Sequence, residues 1–275
     1  MTAPDFRGDP PSHYLCSLLE AAGLPHLFTT RHFPGVSAFR EPGPPLGPGA
    51  QELLAVHALA VQPAAFLKQV HGASVAHVSH GGHAGQGDAL MSDKPGLPVA
   101  VFSADCVPVL LYDPEGRRVA AVHAGWRGTV QGVAGAAVDA LRNEGGEPEH
   151  FLAAIGPSIG PCCYEVDKPV IARLDAAFPG RWGSWVRSRG NGKWMLDLWA
   201  ANEEQLREAG MRGDRIANPR LCTGCRGDLF YSYRRGDNGR LVGPRIFDPD
   251  SYGRDRTRRR VVELAWNCIA LSPPG

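Results

Sequence analysis

The amino-acid sequence predicts an α+β fold, in which a single domain is built on a mixed, largely antiparallel sheet with flanking helices. The chain has 275 residues, of which 43% are hydrophobic, so it can bury one full core. From Phe66 onward, short runs rich in β-branched and aromatic residues are separated by Gly, Asp and Pro, as is typical of strands. Turns join the predicted strand pairs more often than helices do, which favours antiparallel pairing.

The N-terminal part of the chain is predicted to contain a loose arm, a surface loop and a helix. Residues 1–13 are polar and rich in proline, which predicts the arm, and an amphipathic segment follows at residues 14–22. Residues 40–49 contain several Pro and Gly residues, so they can sustain neither a helix nor a central strand. The helix is expected at residues 50–59, where the apolar side chains share one face.

The centre of the sequence predicts a hairpin followed by a helix. Residues 66–78, 98–113 and 118–126 are β-rich runs, and the turn sequence DPEGR joins the second run to the third. These two runs are therefore expected to be neighbours in a buried sheet. The Ala-rich residues 128–143 carry apolar side chains at helical spacing and are followed by two glycines at 145 and 146, which predicts a helix.

The C-terminal half continues with alternating strands and helices. The predicted elements are a strand at 151–159, helices at 168–177 and 196–209, a strand leading into residues 221–235, and a last sheet element at 241–248. Residues 248–275 form a C-terminal extension, in which the apolar spacing from Val261 to Leu271 predicts a terminal helix that covers the domain. Residues 1–275 are thus interpreted as one domain.

Composition excludes several classes of protein. The formal net charge of +1 indicates neither a nucleic-acid surface nor an acidic polymer as partner. The N-terminus lacks the pattern of a secretory signal, and no apolar stretch is long enough to span a bilayer, so we expect a soluble, cytoplasmic protein. In that compartment seven irregularly spaced cysteines are interpreted as free thiols or metal ligands, with no structural disulfide.

Three residues that bind soft metals occur beside turns at strand ends. They are His71 in KQVHG, Cys106 in SADCVP and His123 in AVHAGWRG. A thiolate with two imidazoles is a normal ligand set for catalytic zinc, which keeps three protein ligands and leaves a fourth position for water or substrate. The alternative is that Cys106 is a small buried hydrophobe, because ten histidines and seven cysteines allow many such triples.

The neighbours of these residues are open to two interpretations. The segment AVHAGWRGT places Arg127 between a strand and a helix N-terminus, where a phosphate can bind, although the same pattern fits an ordinary turn with a surface arginine. Asp105 either orients a metal ligand or points from a strand end to solvent. Tyr164, Arg234 and Arg235 are candidates for the pocket lining, with packing and surface charge as the alternative.

A second cysteine pattern, CTGC, contains Cys222 and Cys225. Its spacing fits a zinc knuckle or a redox dithiol, but a knuckle requires a second pair. Cys162 and Cys163 are adjacent in sequence, so we do not expect both to face one metal. A redox dithiol would open a helix, whereas CTGC precedes a β-rich aromatic run. Cys222 and Cys225 are therefore predicted to be structural thiols.

Taken together, the motifs resemble those of the laccase-domain (YfiH-type) family of purine nucleoside phosphorylases, formerly described as multicopper polyphenol oxidases. They cover about residues 26–247 and follow the family's order: QVHG, GDAL, ADCVPVLLYD, VAAVHAGWRGT, AAIGPSIGPCCYEV and CTGCRGDLFYSYRRGDNGR. The resemblance implies a single α+β domain related to the catalytic domain of cytotoxic necrotizing factor toxins. It also implies that His71, Cys106 and His123 are the zinc ligands and the catalytic centre.

One motif departs from the family pattern. The early segment TTRHFPGVS keeps Arg31 but interrupts the family's double glycine with Phe33 and Pro34, which affects the shape of this loop. We expect Arg31, Arg127 and Tyr164 to bind substrate, with the two arginines on phosphate and the tyrosine on the purine. The partners are then a purine nucleoside and inorganic phosphate, with no nucleic acid and no membrane, and the chain is a monomer or homodimer.

Three functions follow as hypotheses. The first is zinc-dependent phosphorolysis of adenosine, inosine, guanosine or methylthioadenosine, with adenosine deamination at the same zinc. The second is a copper-dependent polyphenol oxidase, although the chain has no HxH motif and only one candidate site. The third is a metal-free cysteine hydrolase with Cys106 as nucleophile and His123 or His71 as base. A non-enzymatic binding role is disfavoured, because the polar motifs converge on one reactive cluster.

Overall fold

The computed structural model describes residues 4–34, 48–60, 62–236 and 265–271. The strands within these ranges are β1 (Asp5–Arg7), β2 (His13–Leu15), β3 (His26–Thr29), β4 (Ala65–Lys68), β5 (Val75–His77), β6 (Gly82–Gln86), β7 (Ala89–Ser92), β8 (Val99–Ser103), β9 (Val107–Asp113), β10 (Arg118–Ala124), β11 (Leu152–Ile155), β12 (Glu165–Asp167), β13 (Val186–Gly190), β14 (Lys193–Leu196), β15 (Ile216–Ala217) and β16 (Ala265–Ile269). The helices are α1 (Ser17–Ala21), α2 (Pro48–Val56), α3 (Trp126–Val130), α4 (Val133–Asn143), α5 (Lys168–Ala177) and α6 (Leu198–Glu208), with 3₁₀ turns at Pro148–His150, Trp182–Trp185 and Gly213–Arg215.

The strands form three sheets rather than the one that the sequence predicted. The first has the order β1-β2-β3-β16-β8-β4-β6, the second β15-β11-β9-β10-β7-β5 and the third β12-β14-β13. Most neighbouring strands are antiparallel, while β4–β6, β4–β8, β5–β7 and β11–β15 are parallel pairs. The prediction of a mixed, largely antiparallel architecture is confirmed, and its extension to a single sheet is wrong.

Side chains that alternate along β9 and β10 separate two hydrophobic cores. Val109 and Val122 face the core that α4 and α6 cover, whereas Leu110 and Ala121 face the core between the first two sheets. A third core lies on the far side of the first sheet, where Leu54 of α2 packs. Both faces of the second sheet are buried, so its strands read as nearly continuous apolar runs.

The run at residues 98–113 is divided between two sheets. Strand β8 ends at Ser103 in the first sheet, and β9 begins at Val107 in the second. Between them Asp105 has a φ of 87°, a left-handed conformation that a residue with a side chain rarely adopts. The chain therefore turns a corner at residues 104–106, between the two sheets. In the sequence this corner is visible only as the break SADC in an apolar run. The corner places Cys106 at the point where the chain passes from one sheet to the other.

Both chain ends differ from the predictions. In the expected loose arm, Asp5–Arg7 pairs antiparallel with His13–Leu15 at the edge of the first sheet. In the expected terminal helix, Ala265–Ile269 is a strand inserted between β3 and β8. A short apolar run is ambiguous between a helix and a central strand, and the hydrogen bonds that β3 and β8 offer decide for the strand. Ala265–Ile269, within the predicted C-terminal extension, therefore forms part of the first sheet. The predicted sheet element at 241–248 lies outside the described residues.

The helix predicted at 128–143 is two helices. Helix α3 ends at Val130, and Gly132 then adopts a φ of 78° before α4 begins at Val133. A left-handed residue cannot continue a right-handed helix, so the chain turns at this point. The β9–β10 hairpin is confirmed, as are the strand near 151–159 and the helices at 168–177 and 196–209, within two residues at each helix end. The helices in the described ranges all lack the combination of length and apolar character that crossing a membrane requires.

Candidate metal and substrate site

The three ligand candidates meet beside the β9–β10 hairpin. Cys106 directly precedes β9, His123 lies one residue before the end of β10, and His71 lies in the turn after β4. Because β9 pairs with β10 in the register His123 to Pro108, the cysteine and this histidine are neighbours across the hairpin. One ligand atom from each of the three residues lies within 4.8 Å of the others. The two imidazole rings are 4.9 Å apart between centroids and nearly perpendicular.

A buried carboxylate that the sequence analysis did not single out holds two of these residues in place. An oxygen of Asp88 accepts a hydrogen bond from Nδ1 of His123 at 2.8 Å. The same carboxylate accepts the backbone N–H groups of Val70, His71 and Gly72 at 3.2, 2.9 and 2.6 Å. With Nδ1 of His123 committed to Asp88, Nε2 is the ring nitrogen left for a metal or a thiolate. The three backbone N–H groups also fix the turn that carries His71, whose φ is 59°.

The negative charges of Cys106 and Asp88 and the positive charge of His123 stabilise one another. Burial acts to raise the pKa of Cys106, but the charge and hydrogen bond of His123 lower that pKa to about 6. Burial acts to lower the pKa of His123, while the Cys106 thiolate and Asp88 raise it to about 9. Burial acts to raise the pKa of Asp88, but the hydrogen bond and charge of His123 and the backbone N–H groups of Gly72 and His71 together outweigh burial, and the pKa is lowered. In the metal-free protein, a thiolate and an imidazolium therefore form a pair at neutral pH.

Gly125 provides the space in front of the cluster. A Cβ atom built on this residue would lie 2.9 Å from Sγ of Cys106 and 3.0 Å from Cδ2 of His71. Both distances are shorter than side chains tolerate without movement of the neighbouring atoms. The glycine in HAGWRG is therefore required by close approach to two of the three ligand candidates.

Substitution Gly125→Ala is expected to lower the zinc affinity of this site by roughly 10- to 100-fold, since over-packing costs about 1–3 kcal/mol. The measurement is zinc protection of Cys106 against alkylation, followed by mass spectrometry across a series of free-zinc buffers. Gly135→Ala is the matched control, because a Cβ there meets no atom within 4 Å and only raises helix propensity. Equal zinc affinity in the two variants would contradict the assignment of Cys106 and His71 as zinc ligands that require a glycine at position 125.

The Asp105 carboxylate neither bonds to a ligand candidate nor points to solvent, the two possibilities that the sequence left open. Its side chain is buried, and its carboxylate accepts hydrogen bonds from the Thr223 hydroxyl at 2.6 Å and the Arg234 backbone N–H at 2.7 Å. Burial raises the pKa of this carboxyl, and the hydrogen bonds offset only part of the effect. Asp105 thus ties the corner before Cys106 to the segment that contains Thr223 and Arg234.

Tyr164 is buried, and its ring is held by Arg234. The guanidinium carbon of Arg234 is 5.1 Å from the centroid of the Tyr164 ring, and its Nη1 donates to the Glu165 carbonyl at 2.9 Å. Burial raises the pKa of the Tyr164 hydroxyl, and the negative charge of the nearby Cys106 thiolate raises it further. The aromatic ring predicted to meet a purine is therefore within electrostatic range of the Cys106 thiolate.

The two arginines predicted to bind phosphate occupy different surroundings. Arg127 follows Gly125 by two residues, and its guanidinium lies 4.4 Å from the Trp126 ring centroid. Arg31 donates to the Gly227 carbonyl at 2.6 Å and lies 5.1 Å from the Tyr231 ring centroid. Arg127 is thus close in sequence to His123, whereas Arg31 contacts the segment that leads to Arg234. Helix α3 has only five residues, so its N-terminus alone does not indicate a phosphate site.

The structure also assembles four cysteines that the sequence analysis had kept apart. Sulfur atoms of Cys162, Cys163, Cys222 and Cys225 all lie within 4.8 Å of one another. Residues 161–163 form a turn, in which adjacent side chains diverge less than they do in a strand. The expectation that neighbouring cysteines cannot face one point was wrong for this reason. We call these residues the four-cysteine cluster.

Comparisons with known proteins agree with this architecture. The sequence model of a family described as multi-copper polyphenol oxidoreductase laccase matches residues 50–245. A purine nucleoside phosphorylase of Deinococcus radiodurans is 40% identical over 82% of this chain and 90% of its own length. A protein named adenosine deaminase RL5, from an unknown prokaryotic organism, is 38% identical over 54% of this chain and 56% of its own.

Solved structures show the same fold over nearly the whole chain. The crystal structure of YlmD from Geobacillus stearothermophilus superposes with a TM-score of 0.78 at 27% identity, covering 97% of this chain and 98% of that one. The crystal structure of a hypothetical protein YfiH from Bacillus licheniformis has a TM-score of 0.74 at 28% identity, covering 97% and 99%. The similarity therefore includes the strands and turns that carry the site.

Proposed function

Because this chain belongs to the laccase-domain (YfiH-type) family, as its motifs predicted, we propose that it is a zinc-dependent purine nucleoside phosphorylase. The observation that carries the proposal is the convergence of His71, Cys106 and His123 on one point. The relative from Deinococcus radiodurans, which bears the name purine nucleoside phosphorylase, supports the choice of reaction.

The donor set fits zinc. One thiolate and two imidazoles are ligands that zinc prefers, and three protein ligands are typical of a catalytic zinc site. Asp88 holds His123 in the tautomer that binding requires, and Gly125 leaves the cluster uncovered. Bound there, zinc supplies a Lewis acid and a positive charge beside the substrate.

The residues around the cluster have separate tasks in phosphorolysis. A phosphate oxygen bonds to C1′ of the ribose while the bond from C1′ to the purine nitrogen breaks, giving ribose 1-phosphate and the free base. Arg127 and Arg31 hold phosphate oxygens, and the aromatic ring beneath each guanidinium fixes its orientation. Tyr164 packs against the purine, and Arg234 keeps the Tyr164 ring in position.

Inosine consumption is expected to require inorganic phosphate and to yield ribose 1-phosphate and hypoxanthine in equal amounts. The assay follows both products by chromatography with and without phosphate. The substitution Arg127→Lys is expected to raise the KM for phosphate, because lysine lacks the planar guanidinium that can bind two phosphate oxygens at once. Base release at the same rate in phosphate-free buffer would show hydrolysis and overturn the proposal.

Adenosine deamination is a second reaction for the same site, favoured by the relative named adenosine deaminase. In that reaction water adds at C6 of the purine and ammonia leaves, so no phosphate is consumed. Ammonia release from adenosine in phosphate-free buffer separates deamination from phosphorolysis.

The two other hypotheses make different demands on the site. A multicopper oxidase requires several histidine-rich centres, whereas residues 4–34, 48–60, 62–236 and 265–271 offer only one centre with histidines and one with cysteines alone.

A cysteine hydrolase requires a nucleophile, a base and an orienting carboxylate, which Cys106, His123 and Asp88 provide in the metal-free protein. Retention of activity after complete metal removal would therefore favour the hydrolase.

A further inference from the structure

The four-cysteine cluster brings two loops of the chain together. Cys162 and Cys163 lie in the loop between β11 and β12, directly before Tyr164. Cys222 and Cys225 lie in the segment that continues to Arg234. Backbone hydrogen bonds hold the two loops together, since Ser158 donates to the Leu221 carbonyl at 3.1 Å and Thr223 donates to the Ser158 carbonyl at 3.1 Å.

The sulfur positions resemble those around one tetrahedral ion. With metal–sulfur bonds of about 2.3 Å, neighbouring sulfurs in a tetrahedral zinc site are roughly 3.8 Å apart. Sγ of Cys225 lies 3.4 Å from that of Cys162 and 3.6 Å from that of Cys163. A disulfide needs a separation of about 2.05 Å and can join Cys225 to only one partner. The arrangement around Cys225 therefore favours a shared centre over a pairwise bond.

The backbone is shaped to bring the sulfurs together. The N–H groups of Cys225 and Arg226 both donate to the Cys222 carbonyl, at 3.2 and 3.0 Å, which closes a tight turn at CTGC. A Cβ on Gly224 would lie 2.8 Å from Cβ of Cys163, so only glycine permits this approach. The N–H of Gly160 donates to Sγ of Cys222 at 3.2 Å, a contact that stabilises a thiolate.

We propose that the four-cysteine cluster binds a second, structural zinc ion, separate from the centre at His71, Cys106 and His123. Four thiolates close the coordination sphere, so this ion has no open position for substrate. It clamps the loop that ends at Tyr164 to the segment whose Thr223 and Arg234 bind Asp105. The ion therefore positions Tyr164 and the Asp105 corner that precedes Cys106 without contacting substrate.

The test is the metal content of the full-length protein, purified without chelator, by native mass spectrometry and elemental analysis. Two zinc ions per wild-type chain are expected. The Cys106→Ala variant, in which the cluster is untouched, is expected to retain one. Reconstitution of Cys106→Ala with Co²⁺ is expected to give the thiolate-to-metal charge-transfer absorption and the tetrahedral ligand-field bands of a four-sulfur site.

Cys225→Ser is expected to lose one zinc ion and to show a lower Tm. Cys16→Ala is the matched control, because Cys16 is a buried thiol outside the cluster, and this variant is expected to keep both ions. A metal-free Cys106→Ala chain would overturn the proposal, as would iron in place of zinc or a Cys225 disulfide found by mass spectrometry of the unreduced protein. Because Cys106→Ala reports on the cluster alone, these outcomes do not depend on whether the enzyme is a phosphorylase.

Discussion

Cys106→Ala is expected to remove the zinc ion at the His71–Cys106–His123 centre and to lower kcat/KM for inosine by at least about a thousandfold. The metal's charge is worth several kcal/mol to a reaction in which charge develops beside it, and about 4 kcal/mol corresponds to three decades in rate. Alanine removes the thiolate but leaves the corner backbone intact, because the contacts of Asp105 with Thr223 and Arg234 do not involve the sulfur.

The measurement combines zinc content with steady-state kinetics at saturating phosphate. Cys16→Ala again serves as the control, since it removes a buried thiol from the core between the first two sheets. We expect that control to cost stability and to leave kcat/KM near the wild-type value. Full activity in a Cys106→Ala protein that has lost this zinc would show that the reaction does not use the centre.

The sequence predicted the local elements of the fold well and the long-range ones poorly. The β9–β10 hairpin and helix α5 depend on contacts between residues close in the chain, where periodicity and turn residues decide the structure. Strand β16 depends instead on pairing with β3 and β8, more than 150 residues earlier. A local pattern contains no information about such partners, so its apolar spacing was interpreted as a helix.

The same distinction explains what could be predicted of the site. The three ligand candidates were recognisable because their residue types and their positions beside turns have chemical meaning. Asp88 was visible only as part of GDAL, since its function depends on a hydrogen bond to His123, 35 residues away. The role of Asp105 depends on partners more than 100 residues later in the chain. Only the folded chain brings these groups together.

The four-cysteine cluster shows a limit of arguing from spacing. Cys162 and Cys163 are adjacent in sequence, and for that reason alone they were not expected to face one metal. Adjacent side chains do point to opposite faces in a strand, but residues 161–163 form a turn, and in a helical turn successive side chains are only about 100° apart. A constraint derived from one backbone conformation does not transfer to another.

In metal-free protein, alkylation of Cys106 is expected to follow a pH midpoint near 6, well below that of an ordinary thiol. The direction follows from the charges around the sulfur, because the imidazolium of His123 lowers the pKa of Cys106 to about 6 despite burial. The thiolate is thus lost as pH falls through 6 and is present above it. Substitution His123→Ala removes that positive charge and is expected to move the midpoint upward, whereas His57→Ala, a histidine outside the cluster, is expected to leave it unchanged.

Zinc should suppress this reactivity. A metal-bound thiolate shares its lone pairs with the ion, so iodoacetamide labelling of Cys106 is expected to be at least about tenfold slower in holo protein than after chelation. Mass spectrometry of the Cys106 peptide, run in parallel with an inosine assay, measures labelling and activity on one sample. In a phosphorylase that uses zinc, chelation raises labelling and abolishes activity together. A cysteine hydrolase would instead label equally fast with and without chelator and would stay active without metal, and that result would replace the zinc mechanism with nucleophilic attack by Cys106.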